Sequence, residues 1–71
     1  MKDYRVYFAN GDYVACSSLF GAFGAAEHGY SLMLHMRGYP RVKRNRWIPT
    51  RVTLFVDEQE RETEYVPPPQ D

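Results

Sequence analysis

The sequence predicts a small α+β domain, with the order ββαββ, in which one helix packs on an antiparallel sheet of three to four strands. Three observations support this prediction. Residues 18–38 carry apolar side chains at helical spacing, the N-terminal segment alternates apolar and polar residues around an Asn-Gly pair, and two further alternating stretches follow. Because all connections but one are tight turns, the strands should be antiparallel and the helix should cover one face of the sheet.

Residues 4–17 are expected to form a β-hairpin, because the Asn10-Gly11 pair tolerates the positive φ angles of a tight turn and separates two β-rich runs. A two-residue loop would place Val6 on the same face as Tyr13, whereas a three-residue loop with a glycine bulge would place Val6 with Val14. We favour the three-residue loop because it collects the apolar side chains of both strands on one face. The outward face would then carry Arg5, Tyr7, Tyr13 and Ala15.

Residues 18–38 are the only stretch long and periodic enough for a substantial helix. Ser18 can accept a hydrogen bond from a free amide of the first turn. Gly38 can adopt the left-handed conformation that ends a helix, and Pro40 prevents its continuation. At 100° per residue, the apolar side chains fall within one arc about 120° wide: Leu19, Ala22, Phe23, Ala26, Tyr30, Met33 and Leu34.

Gly21, Ala25 and Gly29 recur every four residues and give the helix a smooth flank beside its apolar face. Another backbone could approach closely along this flank. We expect the flank to lie against the protein's own sheet, and the alternative is a helix-to-helix contact in a homodimer. A dimer is a reasonable hypothesis because a chain of this length buries only about 60% of the surface that its unfolded state exposes.

The C-terminal half is expected to contain two more strands. After a loop at residues 39–45, the pattern predicts a strand at residues 46–56, whose first part Pro49 limits to an edge or a bend. A polar turn at residues 57–60 should lead to a fourth strand at residues 61–66, with Thr63 opposite Leu54 and Tyr65 opposite Val52. We place the single domain at residues 1–66, followed by a stiff proline-rich tail at residues 67–71.

The sequence offers no sign of catalysis, of a metal or of a cofactor. Lone Cys16 excludes an internal disulfide and a cysteine-based zinc site, which fits a reducing cytoplasm. His28 and His35 lie about 10.5 Å apart along the helix, too far for two ligands of one zinc ion. There are no paired carboxylates and no phosphate-binding loop. No apolar stretch approaches the roughly 20 residues of a membrane span, so we expect a cytoplasmic protein that is not an enzyme.

Charge is distributed unevenly along the chain although the formal net charge at pH 7 is zero. Residues 37–51 contain six of the nine basic residues and no acid, whereas residues 57–71 contain six acids against one arginine. Basic side chains interleaved with aromatic rings suit phosphate contacts and base stacking. The candidate residues for such binding are Arg41, Lys43, Arg44, Arg46 and Trp47.

The carboxylates of the last hairpin have three interpretations. They could neutralise some of the arginines within the molecule or the dimer. They could instead occupy the cationic groove of a larger partner, or form a charged edge strand that prevents aggregation. The candidate acids are Glu60, Glu62 and Glu64. Tyr7 and Tyr13 are further interface candidates on the outward face of the hairpin, because tyrosine is enriched at interface hot spots.

One resemblance rests on the run Tyr4, Val6, Phe8, the Asn10-Gly11 turn, Val14 and Ala15, followed by a capped helix with alanines and a closing hairpin. This layout resembles small accessory proteins encoded by phages and prophages, among them several anti-CRISPR proteins in which one helix covers a sheet. The resemblance implies a non-catalytic mechanism, namely stoichiometric binding that blocks a host machine.

Two functional hypotheses follow. The first is a phage-type inhibitor or adaptor, such as an anti-CRISPR protein, that binds a larger host protein or nucleoprotein complex through a charged surface. The alternative is a nucleic-acid-binding module that uses residues 37–51. Neither hypothesis requires a cofactor.

Overall fold

The computed structural model describes residues 2–68 and has the predicted α+β layout. The strands are β1 (Lys2–Phe8), β2 (Tyr13–Cys16), β3 (Pro49–Val56) and β4 (Gln59–Glu62), and the main helix is α1 (Leu19–His35). A one-turn helix, α2 (Arg41–Arg44), and a 3₁₀ turn (Asn45–Trp47) connect α1 to β3. The four strands form one antiparallel sheet in the order β2-β1-β3-β4, so β2 and β4 are its edges. Of the predicted tail at residues 67–71, residues 69–71 lie outside the described residues.

The first hairpin has the predicted three-residue loop. Val6 pairs with Val14, so the apolar side chains of the two strands share one face. Gly11 has a φ of 91° and donates its N–H to the carbonyl of Phe8, while the Phe8 N–H donates to the carbonyl of Asp12. This is the turn with a glycine bulge that a three-residue loop requires. Both the loop and the register are confirmed.

Helix α1 begins where the sequence predicts, because the Ser18 hydroxyl accepts a hydrogen bond of 3.0 Å from the Gly21 N–H. The predicted end of the helix is wrong. The Met36 N–H is shared by the carbonyls of Leu32 and Met33, and the Tyr39 N–H then donates to Met36. The chain therefore leaves the helix through a right-handed turn, and Gly38 does not adopt a positive φ.

The core lies between α1 and the two central strands. Val6, Phe8 and Val52 are buried in one cluster beneath Ala22 and Ala26. The small alanine side chains let the helix axis approach the sheet closely. The opposite side of the helix is exposed and carries Glu27, His28, Ser31 and His35.

Gly29 is buried against the protein's own residues. A Cβ atom built on Gly29 would lie 2.8 Å from Cε1 of Phe8 and 3.1 Å from the carbonyl oxygen of Trp47. At Gly29 the small-residue flank therefore lies against the protein's own sheet, as expected. Gly29 has no exposed surface left for a helix-to-helix contact in a dimer. Ala25 is half-buried against the core, and Gly21 is exposed.

The second half of the sheet departs from the prediction in register. Asp57 and Glu58 both have positive φ, at 52° and 62°, and form a two-residue turn instead of the predicted turn at residues 57–60. β4 therefore starts earlier than predicted and ends at Glu62. Arg61 lies opposite Leu54, and the Thr63 N–H donates to the carbonyl of Val52, so the predicted pairing of residues 63 and 65 is wrong.

The connection between α1 and β3 is also more ordered than predicted. The expected loop at residues 39–45 contains α2, and the 3₁₀ turn delays the start of β3 to Pro49. After β4, Tyr65 folds back under the helix, where its ring centroid lies 5.8 Å from that of Phe23. Burial raises the pKa of the Tyr65 phenol, and the nearby charge of Glu27 adds to this rise.

We predict opposite effects for two glycine substitutions in α1. Gly24→Ala should stabilise the protein by about 1 kcal/mol, because alanine favours the helix interior and nothing lies within 4 Å of the added Cβ. Gly29→Ala should destabilise it by about 1 to 3 kcal/mol, because the added Cβ would overlap the buried Phe8 ring. Urea unfolding followed by circular dichroism measures both. Equal stability of the two variants would contradict the packing described here.

Candidate functional site

Two surfaces bring the predicted site residues together. The outer sheet face is the face that α1 leaves uncovered, and it carries Arg5, Tyr7, Tyr13, Arg51, Thr53, Phe55, Glu60 and Glu62. The basic surface lies at the connection between α1 and β3, and it carries Arg37, Tyr39, Arg41, Lys43, Arg44, Arg46 and Trp47.

Glu60 is the centre of the outer sheet face. Its carboxylate accepts hydrogen bonds from the Tyr7 hydroxyl, from Thr53 Oγ1 at 2.9 Å and from Arg51 Nη2 at 2.9 Å. Arg51 also lies 3.4 Å from the carboxylate of Glu62 and stacks over the Tyr7 ring at 4.5 Å. Glu60 is therefore engaged within the molecule and is not free to receive a cationic partner.

The same contacts stabilise the charged form of Glu60. The hydrogen bond from Tyr7 lowers the pKa of the carboxyl below the value of 4.5 for a free glutamate, and the Thr53 hydroxyl and the Arg51 charge lower it further. Desolvation acts in the opposite direction and is outweighed.

Arg5 is the centre of a second group of contacts on this face. Its guanidinium stacks 4.0 Å from the Phe55 ring and 4.7 Å from the Tyr13 ring, and its Nε lies 3.7 Å from the Asp3 carboxylate. The rings of Tyr7 and Tyr13 are neighbours at 5.4 Å. The face is thus a preformed layer of rings and guanidinium groups.

The sequence predicts only part of the outer sheet face. The hairpin pattern places Arg5, Tyr7 and Tyr13 there but does not indicate their neighbours Arg51 and Phe55. Alternation along β3 puts Phe55 and Arg51 on one face, but only the pairing of β1 with β3 places that face beside Tyr7 and Arg5. Glu64 follows β4 and is exposed, so the predicted row of three carboxylates contains one engaged group, one paired group and one exposed group.

No acid forms an ion pair with the basic surface in the described residues. Arg51 is the one basic residue of segment 37–51 that forms an ion pair within residues 2–68. Five basic side chains remain without one: Arg37, Arg41, Lys43, Arg44 and Arg46. The reason is topological, because β4 pairs with residues 53–56 of β3 while the 3₁₀ turn packs against α1 and the end of β1. Neutralisation by the acidic strand therefore applies to Arg51 and not to this surface.

Trp47 lies between two surface clefts of the basic surface. One cleft, of about 480 Å³, is lined by Phe8, Asp12, Tyr13 and Val14 of the hairpin, and the other, of about 520 Å³, by Val42 and Lys43. Arg46 and Trp47 border both clefts. A half-buried indole beside the Arg46 side chain can stack on a planar group while the arginine contacts an anion.

Other kinds of site are not found in the described chain. Within residues 2–68, no group of three histidine, cysteine, aspartate or glutamate residues could hold a metal ion. None of the helices in this range has the length and apolar character needed to cross a membrane. No family model, curated protein or solved structure matches the chain.

We predict that the Glu60 network makes stability depend on acid pH. Because the pKa of Glu60 is lowered in the folded state, its contribution is present above pH 4.5 and is lost as the pH falls through the lowered pKa. Urea unfolding should show a steeper loss of stability between pH 6 and pH 3 for the parent protein than for Glu60→Gln. The difference should be about 1 kcal/mol or less, because the group lies near the surface.

The control for this experiment is Glu64→Gln, which removes an exposed carboxylate outside the network. Its stability should follow the parent profile. A Glu60→Gln profile that also matches the parent would show that the network does not stabilise the fold.

Proposed function

We propose that the protein is a non-enzymatic, cytoplasmic module that binds single-stranded nucleic acid through the basic surface. The observation that carries this proposal is the set of five basic side chains at residues 37–46 that form no ion pair within the described chain. Phosphate groups satisfy such side chains, and release of counterions from the nucleic acid drives their association.

The acidic strand is the weaker candidate for a docking surface. Glu60 is held by three partners within the molecule, and Glu62 is paired with Arg51. A cationic partner would have to displace these contacts before it gained its own. The basic side chains of α2 present no such competition.

Aromatic rings within the basic surface favour a nucleic acid over an acidic protein. Tyr39 is 54% exposed, and Trp47 separates the two clefts beside Arg46. Rings of this kind stack on bases, and each stacked base typically contributes about 1 to 3 kcal/mol. With four residues, α2 is only about 6 Å long. It is too short to lie along a duplex major groove as a recognition helix does, so a single strand is the better fit.

The test is a salt titration of binding to a labelled single-stranded oligonucleotide and to the matching duplex, measured by fluorescence anisotropy. We expect tighter binding to the single strand and affinity that falls with log salt. In Arg41→Glu/Lys43→Glu, both side chains of which are exposed, the affinity should fall at least tenfold. The salt slope should decrease by about 1.4, which is about 0.7 for each lost phosphate contact.

Two controls accompany the titration. Glu62→Lys/Glu64→Lys reverses charge on the acidic strand and should not weaken binding. Trp47 is the single tryptophan of the sequence, so saturable quenching of its fluorescence by the unlabelled strand should accompany binding. Failure of the parent protein to bind either nucleic acid at low salt would overturn the proposal.

A second candidate function is supported by the outer sheet face. Rings and arginines, the residue types enriched at interface hot spots, form a continuous layer there around Arg5 and Phe55. Such a face suits docking on a larger protein, as the inhibitor or adaptor hypothesis requires.

For this candidate we predict that Phe55→Ala lowers the affinity for a protein partner more than tenfold while nucleic-acid binding is retained. The partner would be isolated by affinity capture from a bacterial lysate and its binding then measured by calorimetry. Arg41→Glu/Lys43→Glu serves as the matched control on the other surface. If Arg41→Glu/Lys43→Glu abolishes binding of the partner and Phe55→Ala does not, the outer sheet face is not the docking site.

A further inference from the structure

We propose that β2 pairs, along its free edge, with β2 of a second copy of the chain, so that two sheets join into one across a two-fold axis. This inference does not depend on the proposed function, although Tyr13 and Val14 of β2 also line the first of the two clefts beside Trp47. It rests on the chemistry of the two sheet edges, on the backbone groups that β2 leaves free, and on the self-complementarity of its side chains.

The two edges of the sheet differ in charge. β4, at one edge, reads Gln-Glu-Arg-Glu and is exposed along its length. β2, at the other, reads Tyr-Val-Ala-Cys and contains no charged residue. Charged side chains are a common means by which proteins prevent edge-to-edge pairing, and an apolar edge strand without them is a template for pairing. Tyr13 and Val14 on this edge are 48% and 47% exposed.

The hydrogen bonding of the hairpin identifies which backbone groups of β2 are free. The Phe8 N–H donates to the Asp12 carbonyl, so by the alternation of antiparallel ladders Val14 and Cys16 are the residues that bond to β1. The N–H and C=O groups of Tyr13 and Ala15 then point away from β1. β2 pairs with no other strand of the described sheet.

One register uses both outward-facing residues of each strand. When the two-fold axis passes beside Val14, Tyr13 of one copy pairs with Ala15 of the other, which gives four backbone hydrogen bonds. A shift of two residues in either direction leaves one of these residues without a partner in β2. The two Val14 residues then face each other as a non-hydrogen-bonded pair, with Cα atoms about 4.5 Å apart.

The side chains of β2 fit this register. On the outer face, the large Tyr13 ring lies beside the small Ala15 of the second copy. On the helix face, each Val14 covers the exposed half of the other. Along the chain, the charge nearest to β2 is Asp12, which falls opposite Cys16, so the two paired strands set no like charges opposite each other. A strand that complements itself in size and carries no charge is better suited to a second copy than to an unrelated peptide.

Disulfide trapping tests the register. In a Cys16→Ser background, Val14→Cys places two thiols across the axis at a Cα separation within the 4.4–6.8 Å that disulfides require. We expect most of this variant to form a covalent dimer on mild oxidation. The control is Val42→Cys in the same background, because Val42 is 78% exposed and lies on α2. Equal cross-linking of the two variants would overturn the proposal.

Analytical ultracentrifugation tests the edge itself. The parent protein should sediment with a mass that rises with concentration towards twice that of the monomer. Ala15→Pro removes an N–H that faces away from β1 and should remain monomeric, whereas Glu62→Pro, at an outward-facing position of β4, should dimerise like the parent. A parent protein that is monomeric at millimolar concentration would refute the dimer.

A charge-swap pair covers the case in which Ala15→Pro does not fold. Val14→Lys and Val14→Glu should each be monomeric, because like charges would face each other across the axis. An equimolar mixture of the two should form a heterodimer. Homodimers of both single variants, or no heterodimer in the mixture, would place the contact elsewhere than on β2.

Discussion

The close approach of α1 to the Phe8 ring and the Trp47 carbonyl at Gly29 is the contact on which the rest of the structure depends. A side chain at this position would overlap the ring, so glycine here, together with the small Ala22 and Ala26, lets the helix approach the sheet closely. The same contact holds the 3₁₀ turn against the helix, and the hydrogen bond from the Ala9 N–H to the Ile48 carbonyl ties that turn to the first hairpin. The helix, the hairpin and the basic surface are thus fixed relative to one another.

The separation of charge follows from this arrangement. Because the 3₁₀ turn is held beside the first hairpin, the basic side chains of residues 37–46 lie away from β4. The two-residue turn at Asp57 and Glu58 sets the register that brings Glu60 against Arg51, Thr53 and Tyr7. A longer turn would have shifted these groups apart. Arg51 of the sheet is therefore neutralised by Glu60 and Glu62, while the bases of the helical connection form no ion pair within the described residues.

The sequence predicted the parts of the fold that local chemistry determines. The Asn10-Gly11 pair and the alternation around it were sufficient for the loop and register of the first hairpin, and Ser18 marked the start of α1. The end of α1, the helix α2 and the register of β4 were missed. A one-turn helix is below the length at which periodicity gives a signal. Positive φ at two acidic residues is uncommon, so Asp57 and Glu58 did not indicate so short a turn.

The candidate site shows the same division between local and non-local information. Composition alone identified the basic segment, because it is continuous in sequence. The outer sheet face joins residues about fifty positions apart, such as Tyr7 and Glu60, and only the pairing of β1 with β3 and of β3 with β4 brings them together. The sequence did not predict which charged side chains are paired within the molecule and which are left to bind a partner.

The difference between paired and unpaired charges decides which surface attracts a charged partner. Its formal net charge is zero, so net charge neither attracts nor repels a polyanion at long range. The field near the surface is set instead by where the charges without an internal partner lie, and within residues 2–68 five positive charges that form no ion pair lie together on the basic surface. An approaching polyanion would be oriented towards Trp47 and away from the acids around β4. The uncharged edge of β2 adds nothing to this field, which is the condition under which two copies can meet along it without repulsion.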